Sequence, residues 1–250
     1  MVNVGRVRAE YDDSQSLQAS DILDFYFASD RRFGSLAAYY TDCTPLKRLD
    51  RQKTMKNPLS AEALRQLFLD ARTYNSWQDR PVSDEILHQI HELTRMGPTS
   101  ANCCPARFIF VKSAEAKARL LECVDKGNRE KTETAPVTVI VAYDMEFYTK
   151  LDQLFPHTNA RSWFEGKDEK ILDTAYRNGT LQGAYLMMAA RALGLDCGPM
   201  TGFKPQKVDE AFLSGTTFRS NFLVNLGYGS EEGLFERSPR FAFDEACQLI

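Results

Sequence analysis

No stretch of this chain stays apolar for the roughly 18 residues that a membrane-crossing helix requires. The N-terminus has no apolar h-region of the kind that marks a secretory signal. The chain is therefore expected in the cytoplasm, without a membrane partner. It also lacks a basic excess. Lys and Arg number 31 against 34 Asp and Glu, for a formal net charge of −3 and a pI near 5.7, which speaks against nucleic acid as a partner. No C-x-x-C pair occurs among the six cysteines, at positions 43, 103, 104, 123, 197 and 247. They are expected to be mostly buried reduced thiols, since a chain this long needs no disulfide framework. No dinucleotide fingerprint is present. The nearest string, "GYGSEEG" at 227–233, has its third glycine one residue too late for G-x-G-x-x-G and no apolar helix behind it, so it reads as a turn after a strand. Internal repeats and low-complexity segments are missing too. His88 and His91 stand three apart on a helical pattern with no third ligand at a recognisable spacing, so no metal site is expected.

What is present is an ordinary globular composition, 43% apolar and 26% charged over 250 residues, enough for one sizeable core. Residues 1–54 show no sustained period and read as a loosely ordered leader, although "ILDFYFA" could pack as a short helix. The functional unit is expected over 55–250. Its first helix carries Leu59, Leu64, Leu67 and Phe68 at helical spacing, with Ser60 as N-cap and Leu59/Leu64 as a staple. A second follows Ser83, with Asp84 and Glu85 at the positive end of its dipole and Gly97 as its stop. Strand "RFIFVK", a helix over 114–126 with Leu120, Leu121 and Val124 inward, and the continuous apolar strand 135–144 come next. A long helix over about 168–193, apolar nearly all round in its second half, should be central and buried. Pro205 opens a short helix, and "FLVNLGYG" is a third strand. Few strands among many helices indicate an α+β domain.

The chemistry concentrates in loops. "GPTSANCCPARFIF" (97–110) sets two thiols and an amide between a helix and a strand. Three readings compete: a metal site, a nucleophilic thiol at Cys103 or Cys104, or a loop whose backbone holds a ligand. The thiol reading needs a neighbouring base that the sequence does not show. The ligand reading uses small Pro98, Thr99, Ser100 and Ala101 to let a flat ring approach the backbone, with Asn102 offering both donor and acceptor. "RTYNSW" (72–77) puts Arg72 at a helix end, followed by Thr73, Tyr74 and Asn75, and arginine suits a bidentate phosphate contact. Arg237 and Arg240 stand near the C-terminus. "CGPMTGF" (197–203) reads as a Gly/Pro loop in which Gly202 would let an amide reach a ligand.

These segments, in this order, resemble the FMN-dependent nitroreductase family over about Leu59 to Ile250. "RTYNSW" resembles its phosphate turn, "GPTSANCCPARFIFV" its Pro-Ser-x-x-Asn-x-Gln-Pro-Trp loop, and "GPMTGF" its Pro-Ile-Glu-Gly-Phe loop. "VNLGYG" and "SPRFAFDEA" are similar to its last strand end and C-terminal arginine segment. Within the family, "RTYNSW", "GPTSANC", "FPHTNARSWF" and "ALGLDCGPMTGF" resemble the RutE-type malonic semialdehyde reductases of pyrimidine breakdown. The sequence departs from the general pattern at Cys104 and Ala106, in place of Gln and Trp, at Thr201, in place of Glu, and at Tyr74, where a serine is common.

The resemblance implies a nitroreductase-like fold, a mostly antiparallel sheet wrapped by helices, in an intertwined homodimer with two FMN sites across the interface. It implies that Arg72 and Arg240, with Arg237 secondary, meet the phosphate beside Thr73, Tyr74 and Asn75. Pro98, Thr99, Ser100, Ala101 and Asn102 would line the ring, and Met200, Thr201 and Gly202 would bring an amide to flavin N5. The flavin itself carries the chemistry, passing hydride from NADH or NADPH to a small aldehyde, with no protein side chain as catalyst. Arg161 in "NARSWF" is the candidate clamp for the substrate carboxylate, and Trp163 a candidate cover. Two other functions stay open: FMN-dependent reduction of nitro, quinone or enone compounds, and flavin binding with little turnover.

Overall fold

The computed structural model describes residues 57–250. The leader expected over 1–54 lies outside the described residues, as does Met55. Four strands form one fully antiparallel sheet in the order β1-β2-β4-β3. They are β1 (Ala106–Val111), β2 (Val137–Asp144), β3 (Asp196–Met200) and β4 (Phe218–Gly227). Around them run helices α1 (Ala61–Leu64), α2 (Asp84–Thr94), α3 (Ala114–Leu121), α4 (Arg129–Thr134), α5 (Leu151–Leu154), α6 (Asp168–Ala192), α7 (Pro205–Phe212) and α8 (Phe243–Ala246). A π-helical turn, Arg65–Leu69, continues α1. Among the described residues no helix is long and apolar enough to cross a membrane.

Strand β2 explains its own sequence. Every residue in it is buried, because both faces are covered. Val137, Val139 and Val141 point to the layer of α2 and α6, against Ile90, Leu186 and Ala190. Ile140 points the other way, to Leu120 of α3, Val208 of α7 and Leu223 of β4. Each such aliphatic side chain contributes about 1.5–3 kcal/mol on burial. A strand between two helical layers gains from apolar residues at every position, so its pattern is continuous and not alternating.

Helix α6 lies flat on the sheet because Gly179 and Gly183 present no side chain one turn apart. A Cβ at Gly183 would meet the Phe222 ring at 2.5 Å, and one at Gly179 would meet Tyr143 Cβ at 3.0 Å. Its other side is not buried. Leu172 and Tyr176 at one edge of the buried face, and Leu181 and Tyr185 at the other, are exposed, so the helix expected to be buried all round is buried on one side only. Helix α1 and the turn that continues it have no buried residue. Ser60 caps it, accepting from Ala63 N at 3.1 Å, but Leu59, Leu64 and Phe68 face solvent.

Three further expectations change. The segment around Pro199, read as a loop, is β3. Proline lacks the amide a central strand needs, and β3 is the sheet's edge, where the defect is tolerated. The helix expected over 114–126 ends at Leu121, and Val124 instead makes an isolated bridge to Phe203. Gly97 is not a left-handed cap, since its φ is not positive. It lies under the Tyr185 ring, 2.7 Å from where its Cβ would be.

Candidate functional site

The turn 72–77 is laid along the open edge of β3. Tyr74 N donates to Cys197 O at 3.1 Å, and Gln78 N donates to Tyr228 O at 2.8 Å. The Tyr74 ring packs on Gly229, whose Cβ would fall 2.2 Å from it, and burial raises the phenol's pKa, with Asp196 and Glu231 adding to the shift. Tyr74 thus anchors the turn to the sheet, which accounts for a large ring at a position where the resembled pattern has serine. Anchoring aims its neighbours outward. Arg72, Thr73 and Asn75 line a cavity of about 400 Å³ together with Phe68, Arg191 and the C-terminal Phe235, Arg237 and Arg240.

That cavity gathers four arginines. Arg72 donates to Phe235 O, and Arg237 donates to Leu69 O at 2.6 Å and Ala71 O at 3.0 Å. Arg240 donates only to the carbonyls of its neighbours Ser238 and Pro239. Glu236 shares the lining. Among the described residues none of the four is ion-paired to a carboxylate, whereas Arg65, Arg95, Arg107, Arg129, Arg161 and Arg177 all are. Four cations gathered around one carboxylate, with none of them ion-paired, are an arrangement for an anion. Behind them Lys131 Nζ donates to Asn75 Oδ1 at 3.3 Å, its pKa lowered by burial. One lone pair of Oδ1 is thereby used, and the Asn75 NH2 donates to no partner among the described residues.

The loop after Gly97 is held by two buried amides of α6. Asn178 Oδ1 accepts from Ser100 N at 2.9 Å, and Gln182 Oε1 accepts from Ala106 N at 2.9 Å. Ala101, Asn102 and Cys104 all have positive φ, at 49°, 49° and 39°. Such left-handed positions cost of order 1–3 kcal/mol each outside glycine and persist when surrounding structure overdetermines them. Pro98, Thr99 and Ser100 line a second, open cavity with Asn178, Leu181 and Ala184 of α6. It shares no residue with the arginine cavity. Both ends of the Asn102 side chain are engaged inside the chain. Its Nδ2 donates to Leu154 O at 2.8 Å, and its Oδ1 accepts from Cys104 Sγ at 3.3 Å.

The third loop is stitched to the segment before α4. Gly202 O accepts from Asn128 Nδ2 at 2.9 Å and from Asp125 N at 3.1 Å. A Cβ at 202 would lie 2.3 Å from Asn128 Nδ2, so glycine is required for that approach. Met200 is buried and accepts from Thr132 Oγ1 through sulfur, and Thr201 is exposed.

The structure therefore brings Arg72, Thr73, Asn75, Arg237 and Arg240 to one cavity. It places Pro98, Thr99 and Ser100 on another, and sets Gly202 against Asn128 with Thr201 exposed before it. Arg161 is exposed and paired with Glu165 at 2.6 Å, outside both cavities. Cys103 is buried, its thiol pushed up to about 12 by burial, which removes it as a thiolate nucleophile. Sequence reasoning missed Arg191, Lys131 and Asn128. The first hides in a helical pattern as one more charge, and the other two carry no spacing signal that points to the loops they reach.

Known proteins fit this geometry. The pattern of the Nitroreductase family matches residues 69–228. A protein of Burkholderia lata, provisionally named NADH dehydrogenase/NAD(P)H nitroreductase, is 63% identical over 191 residues, 76% of this chain and 98% of that one. Among solved structures, a nitroreductase-type protein of Bacillus subtilis superposes with a TM-score of 0.70 at 20% identity, covering 76% of this chain and all of the other. One from Exiguobacterium sibiricum, solved in complex with FMN, superposes at 0.68 and 22% identity, covering 79% of this chain and all of the other.

Proposed function

The chain belongs to the nitroreductase family of oxidoreductases, and from that premise we propose that it is a cytoplasmic, homodimeric, FMN-dependent NAD(P)H oxidoreductase reducing malonic semialdehyde to 3-hydroxypropanoate in pyrimidine degradation. One observation carries the cofactor assignment: four arginines without carboxylate partners surround a single cavity. A phosphate monoester brings about −1.5 to −2 charges at neutral pH, which these cations match. Bound here, FMN would take hydride from a nicotinamide and deliver it to the acceptor's carbonyl carbon.

The chain's own groups hold and orient. Arg72 and Arg240, with Arg237, neutralise the phosphate, while the Thr73 hydroxyl and the Asn75 amide add donors. The stiff loop 98–102 lines a flat ring, and Thr201 and Gly202 bring a backbone amide held in place by Asn128. The separation of the loop cavity from the arginine cavity favours a site shared by two chains. So do the exposed apolar residues of α6, Leu172 and Tyr176 on one side of the helix and Leu181 and Tyr185 on the other. The exposed tail with Phe235, Phe241, Phe243 and Leu249 fits an intertwined dimer.

For the substrate, the resemblance of "GPTSANC", "FPHTNARSWF" and "ALGLDCGPMTGF" to the RutE-type subgroup supports the semialdehyde. Arg161 remains available to its carboxylate, because an exposed pair such as Arg161–Glu165 contributes only about 0–1 kcal/mol. A second reading is reduction of nitro, quinone or enone acceptors, and the nitroreductase in the name of the Burkholderia lata relative favours its nitro part. NAD(P)H oxidation by the purified protein with malonic semialdehyde, nitrofurazone and menadione decides between them. Faster turnover of the semialdehyde supports the first reading, and the reverse order supports the second. A yellow protein inert to all three would be a flavin binder with little turnover.

A further inference from the structure

The arginine cavity has a member that neither the resemblance nor the loops announce. Arg191 stands in the last turn of α6 and lines the cavity beside Arg72, Arg237 and Arg240. Its backbone carbonyl accepts from Gln66 Nε2 at 2.7 Å, which fastens the end of α6 to the π-helical turn. Its guanidinium is poorly served by the protein. Nη1 reaches only Leu67 O, at the long distance of 3.5 Å. Nε is buried with no acceptor. No carboxylate pairs with it among the described residues. The Asp196 carboxylate feels its charge without pairing with it, so what the guanidinium still lacks is a hydrogen-bond acceptor at Nε. Glu236, on the same cavity, would repel a phosphate, and Arg191 offsets it.

We propose that Arg191 is a fourth phosphate-binding arginine, and that it sets the preference of this site for phosphorylated over unphosphorylated flavin. The proposal rests on reading the cavity as the FMN phosphate site. The competing role is structural: a cation in the last turn of α6 also complements the helix dipole. The two roles differ in what they do to riboflavin, which has the ring and the ribityl chain but no phosphate. A structural loss weakens both flavins alike. A lost phosphate contact weakens FMN alone.

The test uses the full chain, stripped of flavin and titrated with FMN and with riboflavin by fluorescence. It compares wild type, Arg191→Met, Arg191→Lys and Arg72→Ala. Arg191→Met should raise the FMN dissociation constant about tenfold, the scale of one lost charge-assisted hydrogen bond. It should leave riboflavin within about twofold, well under the factor that one such bond carries. Arg191→Lys, which keeps the charge and the fold, should lie between wild type and Arg191→Met for FMN. Equal losses for both flavins, or an unchanged FMN constant in Arg191→Met and Arg191→Lys, would overturn the proposal. Arg72→Ala separates this failure from a failure of the cavity assignment. If Arg72→Ala lowers the FMN-to-riboflavin preference and Arg191→Met does not, only Arg191 is removed from the site. If Arg72→Ala also leaves that preference intact, the phosphate does not bind here and both readings fall.

Discussion

Arg240 offers a clean separation of cofactor binding from folding. Its guanidinium lines the cavity, yet its protein hydrogen bonds go only to Ser238 O and Pro239 O at 2.9 and 3.0 Å, within its own exposed stretch. Arg240→Ala therefore removes little that holds the fold, and flavin-free stability should change by no more than about 0.5 kcal/mol, the usual range for such surface positions. Its contribution to a bound phosphate is larger, since a hydrogen bond to a charged group contributes roughly 1.5–3 kcal/mol. At tenfold per 1.4 kcal/mol, FMN affinity should fall about ten- to a hundredfold. Arg240→Lys should recover part of the loss, because a point charge does not reproduce the planar fork. Excess FMN should restore turnover. Arg237→Ala is the contrast. It breaks bonds to Leu69 O and Ala71 O that tie the tail to the end of the π-helical turn, so it should also lower flavin-free stability, by roughly 1 kcal/mol per bond. Flavin titration and thermal melts with and without FMN measure both effects. If Arg240→Ala keeps stoichiometric FMN through gel filtration with a wild-type dissociation constant, Arg240 is a surface residue and the reasoning fails.

Gly229→Ala should push the Tyr74 ring off its seat and displace the turn that carries Arg72, costing about 1–3 kcal/mol in urea unfolding. Adding Tyr74→Ala should recover part of that loss, and no recovery would mean the ring is not the obstacle. Lys117 is buried and donates to Thr132 O, Ala135 O and Thr138 Oγ1, with burial pushing its pKa down to about 8 from 10.5. The folded state then binds fewer protons than the unfolded chain between those values, so this group should raise stability as pH climbs from about 8 to 10.5 and have a constant effect below that window. Comparing pH-dependent melting of wild type and Lys117→Met isolates it, and parallel curves would refute the shift. Leu181→Glu, beside Tyr185 on the exposed surface of α6, should convert a dimer to monomer in sedimentation and release FMN. A chain beginning at Met55 should fold, dimerise and stay yellow, whereas a colourless or insoluble product would make residues 1–54 structural.

Much of the fold could be read from local pattern. The long α6 was expected over about 168–193 and spans Asp168–Ala192. β2 announced itself through an apolar run, and Ser60 and Ser83 both cap the helices they precede. These features depend on near neighbours in sequence, where spacing and capping act. The misses share a different cause. β3 was hidden because Gly198 and Pro199 mark loops in general, and only its place at the sheet edge makes them acceptable there. The exposed side of α6 was read as buried because apolarity says that a face will be covered, not whether its own chain covers it.

By itself the sequence determined where most of the elements lie, and which segments carry the arginines, amides and glycines of the candidate site. Residue chemistry and local periodicity are properties of a linear string. The tertiary structure alone decided which of those residues meet. It brought Arg72, Arg237 and Arg240 to one cavity and added Arg191 from a helix end. It placed Pro98, Thr99 and Ser100 on a separate cavity, and gave Arg161 to Glu165 and Asn102 to Leu154. Such meetings depend on long-range packing, on how α6 lies over the sheet and where the turn at 72–77 joins β3. That packing is a cooperative outcome of the whole core, which no single stretch of sequence encodes.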